Sequence, residues 1–200
     1  MKLLRNSLPI AVAIALGGCS LGGLLGGGGK APPTLLTLTP QGALQGDFTR
    51  SASAGEAVTI AIPVIGKELR TVRVPAQVSH MEVSYIKNLQ WVDTPDRLFQ
   101  ELLAETVRRT TGRVVLDPKQ ANLDPGIAVS GQLYRMGYDA AEQAVIVRYD
   151  AARSIAGGTR VETRRFEAKV PTSDDAPNVG AALNQAANQV ALEAATWIGG

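Results

Sequence analysis

From Ile127 to Val170 apolar and polar residues alternate through three successive runs, and a period of two buries one side of a chain only when the chain is extended in a sheet. Ile127, Val129, Gly131 and Leu133 alternate with Ala128, Ser130, Gln132 and Tyr134, and Val145, Val147 and Tyr149 alternate with Ile146, Arg148 and Asp150. Asp139 to Glu142 and Gly157-Gly158 carry turn chemistry between the runs, which predicts an antiparallel meander. The last run, Thr159 to Val170, is polar early and apolar late, the composition of an edge strand or of one that outreaches the core.

Two helices flank this block. Thr94-Pro95-Asp96 offers an N-cap, a proline at the first helical position and an acid at the positive helix end. Leu98, Phe99, Leu102, Leu103 and Val107 then recur as one apolar stripe, with Glu105 placed to pair with Arg109 on the wet face and Gly112 to end the helix. The second helix follows the meander: Val179, Leu183, Ala186, Val190, Ala194 and Trp197 keep helical spacing, with Asn184, Gln185, Asn188 and Gln189 on the other side. Upstream, Val58, Ile60 and Ile62 alternate before Pro63, and Val114, Val115 and Leu116 resume as a strand before Asp117-Pro118. Thr71 to Ile86 reads as extended and irregular, with Val72 and Val74 before Pro75, then Met81, Val83 and Tyr85 on one face. The expected fold is α+β, a two-layer sandwich of a mixed, mostly antiparallel sheet with both helices on one face, and a right-handed crossover joining the Val58 strand to the Val114 strand.

The amino terminus is built differently. Lys2 and Arg5 precede the apolar run Leu8 to Leu16, which closes on Gly17, Gly18 and Cys19, the basic, apolar and small layout of a secretory signal. Leu16-Gly17-Gly18-Cys19 resembles a bacterial lipobox, in which the cysteine accepts diacylglycerol after cleavage between Gly18 and Cys19. A transmembrane anchor and an ordinary cleaved signal are the competing readings. No charge occurs from Asn6 to Gly29, but eight of those positions are glycine and the continuous apolar run is far short of the roughly 20 residues that span a bilayer. Residues 1–18 are therefore expected to be a lipoprotein signal peptide. Residues 19–33 then form the acylated cysteine and a flexible glycine-rich tether of about 20 Å average span, residues 34–57 a short strand (Thr34 to Pro40) and loop, and residues 58–200 the domain. Ser20, where aspartate would retain a lipoprotein of this kind in the inner membrane, implies export to the outer membrane, facing the periplasm.

Few residues could carry catalysis. Lys+Arg 20 against Asp+Glu 18 falls to 18 against 18 once residues 1–18 are removed, so the remaining chain lacks the cationic field that holds nucleic acid. Cys19 has no second cysteine to pair with, and His80 alone cannot build a histidine metal site. A hydrolase would need His80 as base and has no Gly-x-Ser-x-Gly elbow. The acidic pairs Asp93 with Asp96 and Asp174-Asp175 sit where helix starts call for carboxylates. Gly26 to Lys30 lacks the spacing and the following hydroxyl of a phosphate loop. No metal or cofactor is expected beyond the diacylglycerol and N-acyl chain on Cys19. Arg160, Arg164 and Arg165 form a local basic patch, read first as a solvated strand face. Tyr85 and Trp91 are the candidate partner surface, with core packing the favoured reading of Trp91.

The run Tyr85-Ile86-Lys87-Asn88-Leu89-Gln90-Trp91, followed by Pro95, Leu98-Phe99, Leu102-Leu103, Thr111-Gly112-Arg113-Val114-Val115, Gly131-Gln132-Leu133 and the helix from Ala186 to Trp197, resembles the ABC-type transport auxiliary lipoproteins, the PqiC-like family. The resemblance implies an outer-membrane lipoprotein that works beside a mammalian-cell-entry (MCE) domain protein, an ABC permease and an ATPase moving lipids between membranes. Some members are similar to ring-forming platforms, so a homo-oligomer is implied as well. Of the family's functional residues only the acylated cysteine carries over, to Cys19. The expected activity is non-enzymatic docking, and the alternative is a structural envelope lipoprotein that assists another outer-membrane complex.

Overall fold

The computed structural model describes residues 34–43, 49–124 and 126–200. The signal peptide, Cys19 and the tether expected over residues 1–33 lie outside them. The described elements run β1 (Val58–Ile60), β2 (Val64–Ile65), β3 (Arg73–Gln77), β4 (Val83–Gln90), α1 (Pro95–Thr111), β5 (Val115–Leu116), β6 (Ile127–Asp139), β7 (Ala144–Ile155), β8 (Arg160–Pro171) and α2 (Ala176–Gly199). The fold is α+β, with one mixed sheet of eight described strands.

The meander forms as its alternation requires. β6 pairs antiparallel with β7 from Ala128 opposite Ser154 to Asp139 opposite Ala144, and β7 pairs with β8 along its whole length. The other side of β6 is shared by three short parallel strands laid end to end: Val58 opposite Ile127, Val64 opposite Gln132 and Ala76 opposite Tyr138. β5 adds to β1 in parallel and β4 to β3 in antiparallel. The parallel β1–β5 pairing, with α1 between the two strands in sequence, is the arrangement expected for a crossover. β8 pairs with β7 alone, and its alternating charges suit an edge.

Both helices lie on one face. Tyr149 and Phe166 stand directly opposite each other on β7 and β8, so their side chains share a face. Phe99 of α1 packs on Tyr149 with ring centroids 5.0 Å apart, and Trp197 of α2 packs on Phe166 at 5.7 Å. All five members of the α1 stripe are buried, each side chain contributing about 2 kcal/mol. Gly112 ends α1 in the left-handed region at φ 70°, a conformation that costs glycine little. Alanines 186, 187, 191, 194 and 195 are fully buried in α2, and such short side chains allow the helix backbones a close approach. A Cβ on Gly199 would stand 2.8 Å from Thr111 Cγ2.

Pro75 lies inside β3, where the pairing slips from Arg73 opposite Gln90 to Pro75 opposite Tyr85; the residues looped out of β4 include Asn88 at φ 57°. Two local expectations are corrected. Met81 does not share a strand face with Val83 and Tyr85, because it stands 93% exposed in the β3–β4 turn, ahead of β4. Asn188 is not on the wet side of α2: it is buried and bonded to residues 39 and 41.

Candidate docking surface

Trp91 is 2% exposed, and its backbone N–H donates to the Val72 carbonyl at 2.7 Å. It belongs to the core, which removes it from the partner surface. Its large apolar area is buried where β4 turns into α1. Tyr85 remains half-buried at the sheet margin. Its hydroxyl donates to the Glu68 carbonyl at 3.4 Å, and the Arg73 guanidinium lies 4.0 Å from its ring centroid. The structure therefore separates the two residues that the sequence paired.

Exposed apolar side chains gather at the β3–β4 hairpin instead. Val78 (47% exposed), Met81 and Val83 occupy its tip and first residue. Val83 lines a small hollow with Tyr134, which bulges out of β6 between Leu133 and Arg135 and is itself exposed. Beside the tip runs a polar groove of about 420 Å³, lined among others by Gln77, His80, Arg135, Asp139 and Glu142. Asp139 accepts from Arg135 Nη2 (2.6 Å) and from the N–H groups of Ala141 and Glu142 (3.0 and 3.1 Å). Burial opposes its charge, but those three donors outweigh burial and hold the carboxyl below its usual range. The Ser79 hydroxyl beside His80 donates to Glu82 Oε2 at 3.0 Å, so the histidine and its neighbouring hydroxyl are not arranged as base and nucleophile. Among the described residues no three His, Cys, Asp or Glu side chains gather where they could hold a metal ion.

The basic patch resolves into pairs. Arg165 forks onto Asp150 (2.7 and 2.6 Å) and Arg160 pairs with Glu162. Arg164, one residue from Arg165, points to the opposite face and lies 5.2 Å from the Phe166 ring centroid. Arg148 with Glu167 and Lys169 with Glu142 continue the pairing across the outer face of the meander. That face is thereby neutralised strand by strand. The acids at the helix starts act locally: Asp93 Oδ1 accepts from the Thr94 N–H (2.6 Å), and Asp175 caps α2 by accepting from the Asn178 N–H (3.1 Å). Hydrogen bonds from Ser173 and Asn178 hold the Asp175 carboxyl below its ordinary value.

Residues 34–43, expected as a strand and loop ahead of the domain, run as a strap over the helix layer. Leu36 bridges Trp91 in parallel, its N–H donating to the Gln90 carbonyl (2.7 Å) and its carbonyl accepting from the Val92 N–H (2.8 Å). Asn184 Oδ1 then accepts from the Thr39 N–H at 2.9 Å and Asn188 Oδ1 from the Gln41 N–H at 2.8 Å, while Asn188 Nδ2 donates back to the Thr39 carbonyl at 2.9 Å. The strap ends against α1, where the Gly42 carbonyl accepts from Arg109 Nη1 at 3.4 Å. Two asparagines one turn apart, on a helix whose other inward residues are mostly small and apolar, are the sequence signal of this clamp.

The sequence matches the family described as "ABC-type transport auxiliary lipoprotein component" over residues 37–195, which takes in most of the strap, strands β1 to β8, α1 and most of α2. The chain belongs to that family. Its fold is shared by a crystal structure of a Xanthomonas campestris protein, at TM-score 0.69 and 17% identity over 82% of this chain and 94% of that one. A second solved structure, titled an uncharacterized protein, gives TM-score 0.61 and 15% identity over 75% of this chain and 96% of the other. No curated protein matches the sequence. The family assignment makes this chain an auxiliary component of an ABC-type transport system and places it in the cell envelope.

Proposed function

We propose that this family member is a non-enzymatic docking component, acylated at Cys19 and held on the periplasmic side of the outer membrane, for an MCE-domain protein that passes lipids or other hydrophobic molecules to or from an ABC permease and ATPase. The observation that carries the reading is the family match across residues 37–195. Two features of the surface support it. The outer face of the meander is neutralised by cross-strand ion pairs, and the apolar tip at Val78, Met81 and Val83 supplies the exposed patch that marks interaction sites. Energy for transport would come from the partner ATPase, with this chain supplying anchorage and a surface. Self-association into a ring is part of the same proposal.

Photo-crosslinking in cells tests it, with the probe at Met81 or Tyr85 instead of the buried Trp91. Capture of an MCE-domain protein is the expected result. Capture of an unrelated outer-membrane assembly, with lipid asymmetry unchanged on deletion, would replace the reading by that of a structural envelope lipoprotein. Cys19→Ser should abolish palmitate labelling and release the protein from envelope fragments.

A further inference from the structure

Thirty-three residues, Cys19 among them, precede Thr34, and the strap sets where that arm reaches the domain. Leu36 pairs with Trp91 just before α1 begins, and its Cδ2 stands 3.0 Å from where a Cβ on Gly180 would be, one turn into α2. The strap therefore begins at the corner where both helices start. Three apolar side chains stand exposed around it: Leu35 (50%), Val72 (36%) and Val92 (55%). The backbone segments that carry them are adjacent, because the Val92 N–H donates to the Leu36 carbonyl and the Trp91 N–H to the Val72 carbonyl. Arg70 and Arg73, both exposed, flank Val72, and Asp93 follows Val92.

We propose that this corner is a membrane-contact surface whose partner is the lipid bilayer that holds Cys19. The inference rests on the acylation reading and adds an orientation to it. Where the chain enters the domain decides which surface meets the bilayer most often. Without the strap the first sheet residue would be Val58, and entry there would not single out this corner. With it, Leu35, Val72 and Val92 are the apolar groups nearest the arm. A connection as short as residues 19–33 would hold such groups at roughly millimolar effective concentration, so a contact too weak to act alone becomes populated. The strap is suited to this task because it covers a polar strip. Gly180, Asn184 and Asn188 of α2 lie beneath it, with Thr106 and Thr110 of α1, and its hold is directional hydrogen bonding to the backbone at residues 39 and 41. β3 carries the chain from Val72 to Val78, six residues or about 20 Å, so the same geometry turns the apolar hairpin tip away from the corner.

The two tryptophans report the orientation directly. Trp91 lies at the corner, and Trp197 is 17 residues beyond Gly180 on α2, about 25 Å along the helix. The full-length acylated protein is reconstituted in phosphatidylethanolamine and phosphatidylglycerol vesicles that carry brominated acyl chains, which quench indole at short range. With Trp197→Phe, leaving Trp91 alone, emission should be lost to the bromines. With Trp91→Phe, leaving Trp197, it should not. Val72→Asp with Val92→Asp in the Trp197→Phe background should restore emission while the protein still sediments with the vesicles. Should Trp91→Phe fail to fold, nitroxides at Val92→Cys and Glu193→Cys give the same comparison, the first expected to be shielded from an aqueous relaxant and the second open to it. Equal or stronger quenching at Trp197, equal relaxant access at the two nitroxides, or quenching of Trp91 that survives both aspartates, overturns the proposal and leaves the anchor untouched. Sedimentation of Cys19→Ser with the vesicles overturns the acylation reading instead.

Discussion

Asn188→Ala isolates the clamp that holds the strap to α2. In the native chain the Asn188 amide is buried and makes two bonds to the strap, accepting from the Gln41 N–H at 2.8 Å and donating to the Thr39 carbonyl at 2.9 Å, and a third to the Asn184 carbonyl at 2.8 Å. At about 1 kcal/mol net per bond, losing the two strap bonds weakens the docked strap by about 2 kcal/mol. Every 1.4 kcal/mol is a factor of ten, so the Gln41 amide should exchange with solvent about thirtyfold faster. The Thr39 amide should respond less, because it donates to Asn184 Oδ1. A domain of this size loses about 2–4 °C of melting temperature per kcal/mol, which bounds the global loss at about 8 °C if the strap opens only with the whole domain. A smaller drop with the full exchange effect means that the strap opens alone. Asn188→Asp gives the control of sign. The introduced carboxylate still accepts from Gln41 but faces two carbonyls it can no longer donate to, so this variant should be least stable at neutral pH and recover as acid protonates it. Hydrogen exchange resolved at residues 36–42, beside a melt, measures all of this. An unchanged Gln41 amide in Asn188→Ala would refute the clamp.

Four further outcomes follow from the geometry. A Cβ at Gly131 would stand 2.4 Å from the Asp150 carbonyl oxygen and 2.6 Å from the Tyr149 ring, so Gly131→Ala should cost about 3 kcal/mol in denaturant unfolding; Gly157→Ala, at φ 66° with open space around it, should cost about 1 kcal/mol. The Tyr149 hydroxyl is buried without a hydrogen-bond partner, and desolvation raises its pKa well above the ordinary phenol value, so Tyr149→Phe should be neutral or stabilising by about 1 kcal/mol in the same assay. Asp139 has its carboxyl held below the usual value, so its contribution is present above about pH 4 and lost as pH falls through the native value; Arg135→Met should raise the midpoint of acid unfolding. Met81→Asp, at a side chain 93% exposed, should leave the melting temperature unchanged and lower recovery of the crosslinked partner.

What could be read from the sequence was whatever a local period encodes. The α1 stripe, the Gly112 terminus, the Glu105–Arg109 pair at 2.7 Å and the three meander strands all depend on residues a few positions apart, and each is found where the pattern put it. The placement of both helices on one face follows from the order of helix, strands and helix. The pieces that a local period does not place are those decided by distant partners. Pro75 lies within a strand because β4 loops out opposite it, and Val83 stays exposed because the turn it leads from stands clear of the sheet. Trp91 is buried because the strap and Val72 pair with the backbone on either side of it. Arg164 and Arg165 look like one patch in a string of letters, but a strand sends neighbours to opposite faces, and only the register with β7 places Asp150 against Arg165.

The strap is the strongest case, and it bears most on function. Leu36, Leu38, Pro40 and Gly42 are half-buried and alternate with exposed neighbours, the period of a strand, but only Leu36 forms a backbone bridge of the sheet kind. Farther along, the chain's partners are the side chains of Asn184 and Asn188, some 145 residues away in sequence. Sequence periodicity registers such a segment as a weak strand with no mate. Its mates become visible from the other end, as two amides one turn apart on a helix otherwise lined with alanine, because a buried amide must find partners and small residues supply none. If Cys19 is acylated as proposed, a clamp of this kind fixes the side of the domain from which the anchored chain departs. On the two proposals together, one corner would face the lipid and the hairpin tip would stay free for a partner, with the cross-strand ion pairs leaving the broad face of the meander electrically quiet between them.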